Sequence, residues 1–142
     1  MRALLDVNVL IALLDADHSL HESASRWFEA HASLGWASCP ITQNGCVRIL
    51  SHPNYRNGFP PRVVIDRLAE ATATDLHEFW ADDLSLLDPM VVDTAKIHGP
   101  RQITDLYLLA LAVQHDGRLV TFDKSVPIGA VRRATSRHLV TL

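Results

Sequence analysis

Short apolar runs, each closed by a polar residue, alternate along this chain with stretches of helical spacing. Arg2 to Asp6 (Arg-Ala-Leu-Leu-Asp) reads as a strand buried on both faces. Val7 to Leu14 stays apolar around Asn8, so the strand turns into a helix at Asp6. A second helix opens near His18 or Ser19, with Leu20, Ala24, Trp27, Phe28 and His31 at helical spacing. Gly35 to Ser38 is a second short strand, stopped by Cys39-Pro40. Ile41 to Leu50 is helical, with Thr42 as its expected N-cap.

His52 to Pro61 carries Asn, Gly and Pro in quantity and reads as a loop. Arg62 to Ala73 follows as an amphipathic helix, with Val63, Val64, Leu68 and Ala71 on one side. His77 to Trp80 reads as a strand, Leu84 to Leu87 as an extended piece, and Val91 to Ile97 as a helix ending near Gly99-Pro100. The strongest helical pattern is Asp105 to His115, with Thr104 as its expected N-cap. Asp116-Gly117 marks a turn, Arg118 to Phe122 a buried strand, and His138 to Thr141 the last strand. Alternation of this kind predicts an α/β domain over residues 1–142, with a mainly parallel central sheet flanked by helices.

Composition narrows the function classes. At 142 residues, with 48% hydrophobic and 20% charged positions, the chain can bury one sizeable core and is not of the disordered type. A formal net charge of −3 argues against a passive binder that holds nucleic acid through phosphates alone. It leaves room for a metal nuclease, where bound cations supply positive charge. Cys39 and Cys46 form neither a disulfide framework nor a CxxC pair, so a reducing cytoplasm is the expected compartment. No apolar stretch approaches the roughly 18 residues of a membrane span, so no membrane partner is expected.

In open α/β sheets, ligands gather outside the carboxyl ends of the strands. Asp6 follows Ala3-Leu4-Leu5, and Asp123 follows Leu119-Val120-Thr121-Phe122. Asp105 begins the helix that enters the Arg118 strand. Three carboxylates from distant segments suit a hard cation such as Mg²⁺, which takes oxygen ligands and keeps several waters. Each also has an ordinary structural use: Asp6 as a helix cap, Asp105 as an acid in a first helical turn, Asp123 as a turn residue.

Three segments carry a family resemblance. Leu4-Leu5-Asp6-Val7-Asn8-Val9-Leu10-Ile11-Ala12-Leu13 resembles the first motif of PIN domains. Ile103-Thr104-Asp105-Leu106-Tyr107-Leu108-Leu109-Ala110-Leu111-Ala112 is similar to the segment with their third acid, and Gly117-Arg118-Leu119-Val120-Thr121-Phe122-Asp123 to that with their fourth. The chain thus resembles PIN-domain ribonucleases of the VapC toxin type. The resemblance implies Asp6, Asp105 and Asp123 as catalytic metal ligands, with Mg²⁺ or Mn²⁺ as the ion. It also implies RNA as substrate, a cognate VapB-type antitoxin as inhibitor, and a homodimer.

Supporting roles are expected for Asn8, Gln43, Thr104 and Thr121, and contacts to RNA phosphates for Arg48 and Arg101, whose guanidinium forks suit that partner. Within Pro40-Ile41-Thr42-Gln43-Asn44-Gly45-Cys46-Val47-Arg48-Ile49-Leu50, Gln43 is matched to the place where the family carries Glu. A Gln cannot bear negative charge, so a second ion would bind more weakly. The competing reading is a catalytically weakened fold that acts as an RNA- or protein-binding module. A histidine-based metal site has little behind it, because no HExxH or Cys/His pairing is present.

Overall fold

A computed structural model describes all 142 residues. Five strands form one sheet: β1 (Ala3–Leu5), β2 (Trp36–Ser38), β3 (His77–Phe79), β4 (Arg118–Thr121) and β5 (Leu139–Thr141). Their order across the sheet is β3-β2-β1-β4-β5, and every pairing is parallel. The chain therefore winds outward from β1 to one edge, then returns to β4 and winds outward to the other. Leu5 stands opposite Val120 across the β1–β4 pair, so the order reverses at the strands that lead into Asp6 and Asp123.

Five helices cover the sheet: α1 (Val7–Leu14), α2 (His21–His31), α3 (Pro40–Leu50), α4 (Pro61–Thr72) and α5 (Ile103–Gln114). The strand residues alternate between two cores. Leu4 and Leu119 pack on the α5 side, with Leu106, Leu108, Leu109, Val113 and Trp80. Ala3, Leu5 and Val120 face the other side, toward Val9, Leu10, Ala24, Cys46, Leu50, Val64 and Leu68. Both cysteines are free and buried.

Several expected boundaries move. Residues 84–87 form no strand, and residues 91–97 hold only a 3₁₀ turn at Thr94–Lys96. Val92 is instead buried and bridges antiparallel to Val131, so tertiary pairing overrides the local helical pattern. The cap of α5 is Gln102, and Thr104 sits inside the first turn. The cap of α3 is Cys39, whose backbone N–H donates to the Thr42 hydroxyl at 2.9 Å. Thr42 thus plays the reciprocal part of a capping box rather than the cap itself. Trp80 is fully buried and stacks on His115 at 4.2 Å between ring centroids, which makes it core. Trp36 is also core, whereas Trp27 is only half-buried and stacks on His31. His21 ties α2 to α1 through the Ala12 carbonyl at 2.7 Å. No helix is long and apolar enough to cross a membrane.

Candidate active site

Asp6 is the pivot of the carboxyl edge. It is buried, caps α1, and its Oδ1 accepts the Val7 N–H at 2.7 Å. Its Oδ2 accepts the Thr121 hydroxyl at 2.6 Å. Thr121 in turn accepts from Asn8 Nδ2 at 3.2 Å and from the Asp123 backbone N–H at 3.0 Å. Asn8 closes the circuit by accepting the Phe122 N–H through Oδ1 at 3.3 Å. One buried hydroxyl therefore joins the ends of β1 and β4 and sets the orientation of the Asp6 carboxylate. Asp6 is both a helix cap and a member of the acidic cluster, so its structural and chemical uses coincide.

Asp123 lies just past β4, and its Oδ1 accepts both the hydroxyl and the N–H of Ser125, at 2.6 and 2.7 Å. These bonds pull its pKa below the ordinary carboxylate value. Asp105, in the first turn of α5, behaves oppositely: burial first, then the charges of Asp6 and Asp123, push its pKa up to about 7. Asp6 is raised by burial, against the lowering effect of its bonds to Thr121 and Val7. The three carboxylates thus repel one another in a shared field, and Asp105 holds a proton most readily.

A cleft of about 540 Å³ opens beside Asp6 and Asp105. Asn8 and Thr104 line it, and α3 contributes Ile41, Asn44, Gly45, Arg48 and Ile49. A larger groove between α3 and α4, of about 650 Å³, shares Asn44 and Arg48 with this cleft but has no carboxylate in its lining. The cleft is the smaller of the two, yet it is the one that Asp6 and Asp105 line.

Asp6, Asn8, Thr104, Asp105, Thr121, Asp123 and Arg48 come together around the carboxyl edge. Arg101 does not line the cleft; it is exposed on the 3₁₀ turn that precedes α5. Gln43 does not line the cleft. It donates through Nε2 to Ser38 Oγ at 2.9 Å, and Ser38 is paired with His77 Nε2 at 2.8 Å. With roughly 3.6 residues per turn, Gln43 falls on the side of α3 away from the Ile41, Gly45 and Arg48 face. Its neighbours Asn44 and Gly45 line the cleft instead. The available signal was the spacing to Arg48, since residues four apart share a helix face.

The donor set fits a hard divalent cation: carboxylate oxygens, with a repulsion that a cation would relieve. No three His, Cys, Asp or Glu side chains close on one point. A small hard cation needs no such cage, because it is commonly held by one or two carboxylates and keeps its remaining waters.

The PIN domain family model matches residues 3–128. Ribonuclease VapC44 of Mycobacterium tuberculosis (strain ATCC 25618 / H37Rv) is 56% identical over 142 residues, covering 100% of both chains. Ribonuclease VapC39 of the same strain is 44% identical over 127 residues, covering 89% of this chain and 91% of its own. Among solved structures, VapBC2 from Rickettsia felis, bound to a DNA fragment from their promoter, includes a chain that superposes with a TM-score of 0.63 at 15% identity, covering 100% of this chain and 99% of that one. At that identity the likeness concerns the fold, and it agrees with the family match. By motif, fold and full-length similarity, this chain belongs to the PIN-domain family, on its VapC branch.

Proposed function

We propose that this protein is a metal-dependent endoribonuclease toxin that cuts structured cellular RNA in the cytoplasm. The observation that carries the reading is the gathering of Asp6, Asp105 and Asp123 at the reversal point of the sheet, where burial first, and then the neighbouring carboxylates, push Asp105 up to about 7. Relatives named ribonucleases, similar over 100% and 89% of the chain, support it.

Asp6, Asp105 and Asp123 would hold the ion, some of them through its waters, and Mg²⁺ is the first candidate, with Mn²⁺ able to replace it. When bound, a divalent ion supplies charge neutralisation at the phosphate and lowers the pKa of water. The protein does the rest. Thr121 and Asn8 keep the Asp6 carboxylate in one orientation. Ser125 does the same for Asp123. Arg48, on the opposite wall, offers a guanidinium to the RNA phosphate, and Thr104 a hydroxyl at the rim. Arg101, outside the cleft, addresses the flanking backbone of a larger RNA. Hydrolysis adds water at phosphorus and releases the 3′ oxygen, leaving a 5′-phosphate and a 3′-hydroxyl.

An acidic cleft also suits inhibition by a basic side chain. A cognate antitoxin that inserts one would block the site, and a homodimer is the assembly we expect. The test is incubation of the antitoxin-free protein with total RNA and Mg²⁺, beside Asp6→Asn. Discrete cuts that vanish in the variant and with chelator support the reading. A folded, partner-free protein that cuts nothing with either Mg²⁺ or Mn²⁺ refutes it.

A further inference from the structure

Helix α3 is the wall of the acid cleft that brings no carboxylate to it. We propose that Asn44 is the residue through which α3 governs this cleft: its neutral amide leaves that side without a carboxylate, so the site takes one divalent cation and keeps a seat for an RNA phosphate beside Arg48. The proposal rests on the nuclease reading above and assigns α3's part in it.

Three observations carry it. First, Asn44 and Arg48 lie four residues apart and both line the cleft that contains Asp6 and Asp105. An amide and a guanidinium thus face two carboxylates across open space, and both can donate to phosphate oxygens. Second, Gly45 fixes how close this wall stands. A Cβ there would meet Val7 Cγ2 at 2.7 Å, so only glycine lets α3 press on the first residue of α1, immediately beyond Asp6. Asn44, the residue before, is carried to the rim by that contact. Third, Gln43 is occupied elsewhere. Its bond to Ser38, and Ser38's bond to His77, pin α3 to β2 and β3. Gln43 lines the α3–α4 groove beside Asn44 and Arg48 but not the acid cleft, so a carboxylate placed there starts outside the cleft.

The consequence is a difference between neighbouring positions. A carboxylate at 44 adds an anionic oxygen donor to the cleft and repels an incoming phosphate. A carboxylate at 43 can accept from the Ser38 hydroxyl while Ser38 accepts from His77, and it leaves the cleft as it was.

The experiment titrates the full chain with Mn²⁺ by calorimetry and measures cleavage of a fixed RNA oligonucleotide, for wild type, Asn44→Glu, Asn44→Ala, Gln43→Glu and Asp6→Asn. Wild type should bind one equivalent of Mn²⁺ and Asp6→Asn much less. Asn44→Glu should bind Mn²⁺ about tenfold more tightly or take a second equivalent, because charge count sets affinity for hard cations. It should also raise KM for RNA. Asn44→Ala should raise KM several-fold with kcat nearly held and Mn²⁺ binding unchanged, a split that simple loss of fold would not produce. Gln43→Glu should alter neither. Tighter Mn²⁺ binding by Gln43→Glu with none by Asn44→Glu overturns the assignment while leaving the nuclease reading in place. If Asn44→Glu proves unfolded in a thermal melt, Asn44→Asp serves with the same expectations. Wild type and Asp6→Asn that bind Mn²⁺ equally poorly overturn both readings.

Discussion

The two edges of the sheet are built from the same short strands and treat charge in opposite ways. At the amino edge, Arg2 pairs with Glu78 at 3.1 Å and donates to the Leu76 and Trp36 carbonyls at 2.8 and 3.2 Å. Its own carbonyl accepts the Arg118 N–H. There Arg2 and Glu78 are paired, the Arg118 guanidinium lies over the Trp27 ring at 5.4 Å, and the edge serves stability. At the carboxyl edge, Asp6, Asp105 and Asp123 face one another with no cation among their partners, and their bonds go to Thr121, Ser125 and backbone N–H groups. Repulsion is retained where it can do chemistry. The same β1–β4 pairing fixes both edges, so the firmness of one supports the tension of the other.

Substitutions should separate the edges, and the largest effect belongs to the carboxyl one. Asp6→Asn should lower RNA cleavage by about a hundredfold or more, the scale of losing a charged group at a reacting centre. Its melting temperature should hold or rise, because a buried, mutually repelled carboxylate is removed. A variant that loses stability in proportion to activity would erase the contrast.

At the amino edge, Gly117→Ala should do the reverse. The new Cβ would meet the Arg2 carbonyl oxygen and Trp80 Cη2, each at 2.7 Å. Denaturant titration should show a loss of roughly 1–3 kcal/mol, the range for overpacking. The kcat of the folded fraction should stay near wild type.

Two smaller effects sharpen the picture. Arg48→Ala should raise KM for RNA by about tenfold, near the worth of one charge-assisted contact, with little change in kcat. Arg2→Ala should cost about 1 kcal/mol in chemical unfolding, since the half-exposed ion pair adds little and the bonds to carbonyls supply the rest.

The finest test is pH. Asp105 has a folded pKa of about 7, above its unfolded value, so between them the folded state binds more protons. Stability without divalent ions should therefore be greatest at the acid end of this window and fall as pH rises toward 7. Asp105→Asn should flatten that slope, and saturating Mg²⁺ should reverse it, because the cation favours the charged form. Melts across pH, with and without ion, would measure both. An ion-free profile that rises with pH would show that the carboxyl edge carries no such tension.

Most of this fold can be read from the chain because its cues are local. Strand β1 and helix α1 are legible from Ala3-Leu4-Leu5-Asp6 and the apolar run behind it, and α5 from the unbroken pattern Leu106 to Val113. Asp6 and Asp123 were legible from a local cue too, since the carboxyl ends of strands are where an α/β sheet keeps its ligands, whereas Asp105 was legible only through its motif's resemblance to PIN domains. The segment 84–97 was not, because Val92 is settled by its partner Val131, some forty residues on, and no local pattern reports such a pairing.

The sequence by itself determined the alternation of elements, the apolar cores and the placing of Asp6 and Asp123 at one edge. Only the tertiary structure decided which face of α3 meets them. Gln43 and Asn44 are adjacent, both carry amides, and differ by about 100° of helical rotation. That rotation is set by Gly45 closing on Val7 and by Ser38 and His77 holding Gln43. Both are contacts between segments far apart in the chain, and a linear pattern carries no record of which way a helix is turned when it docks.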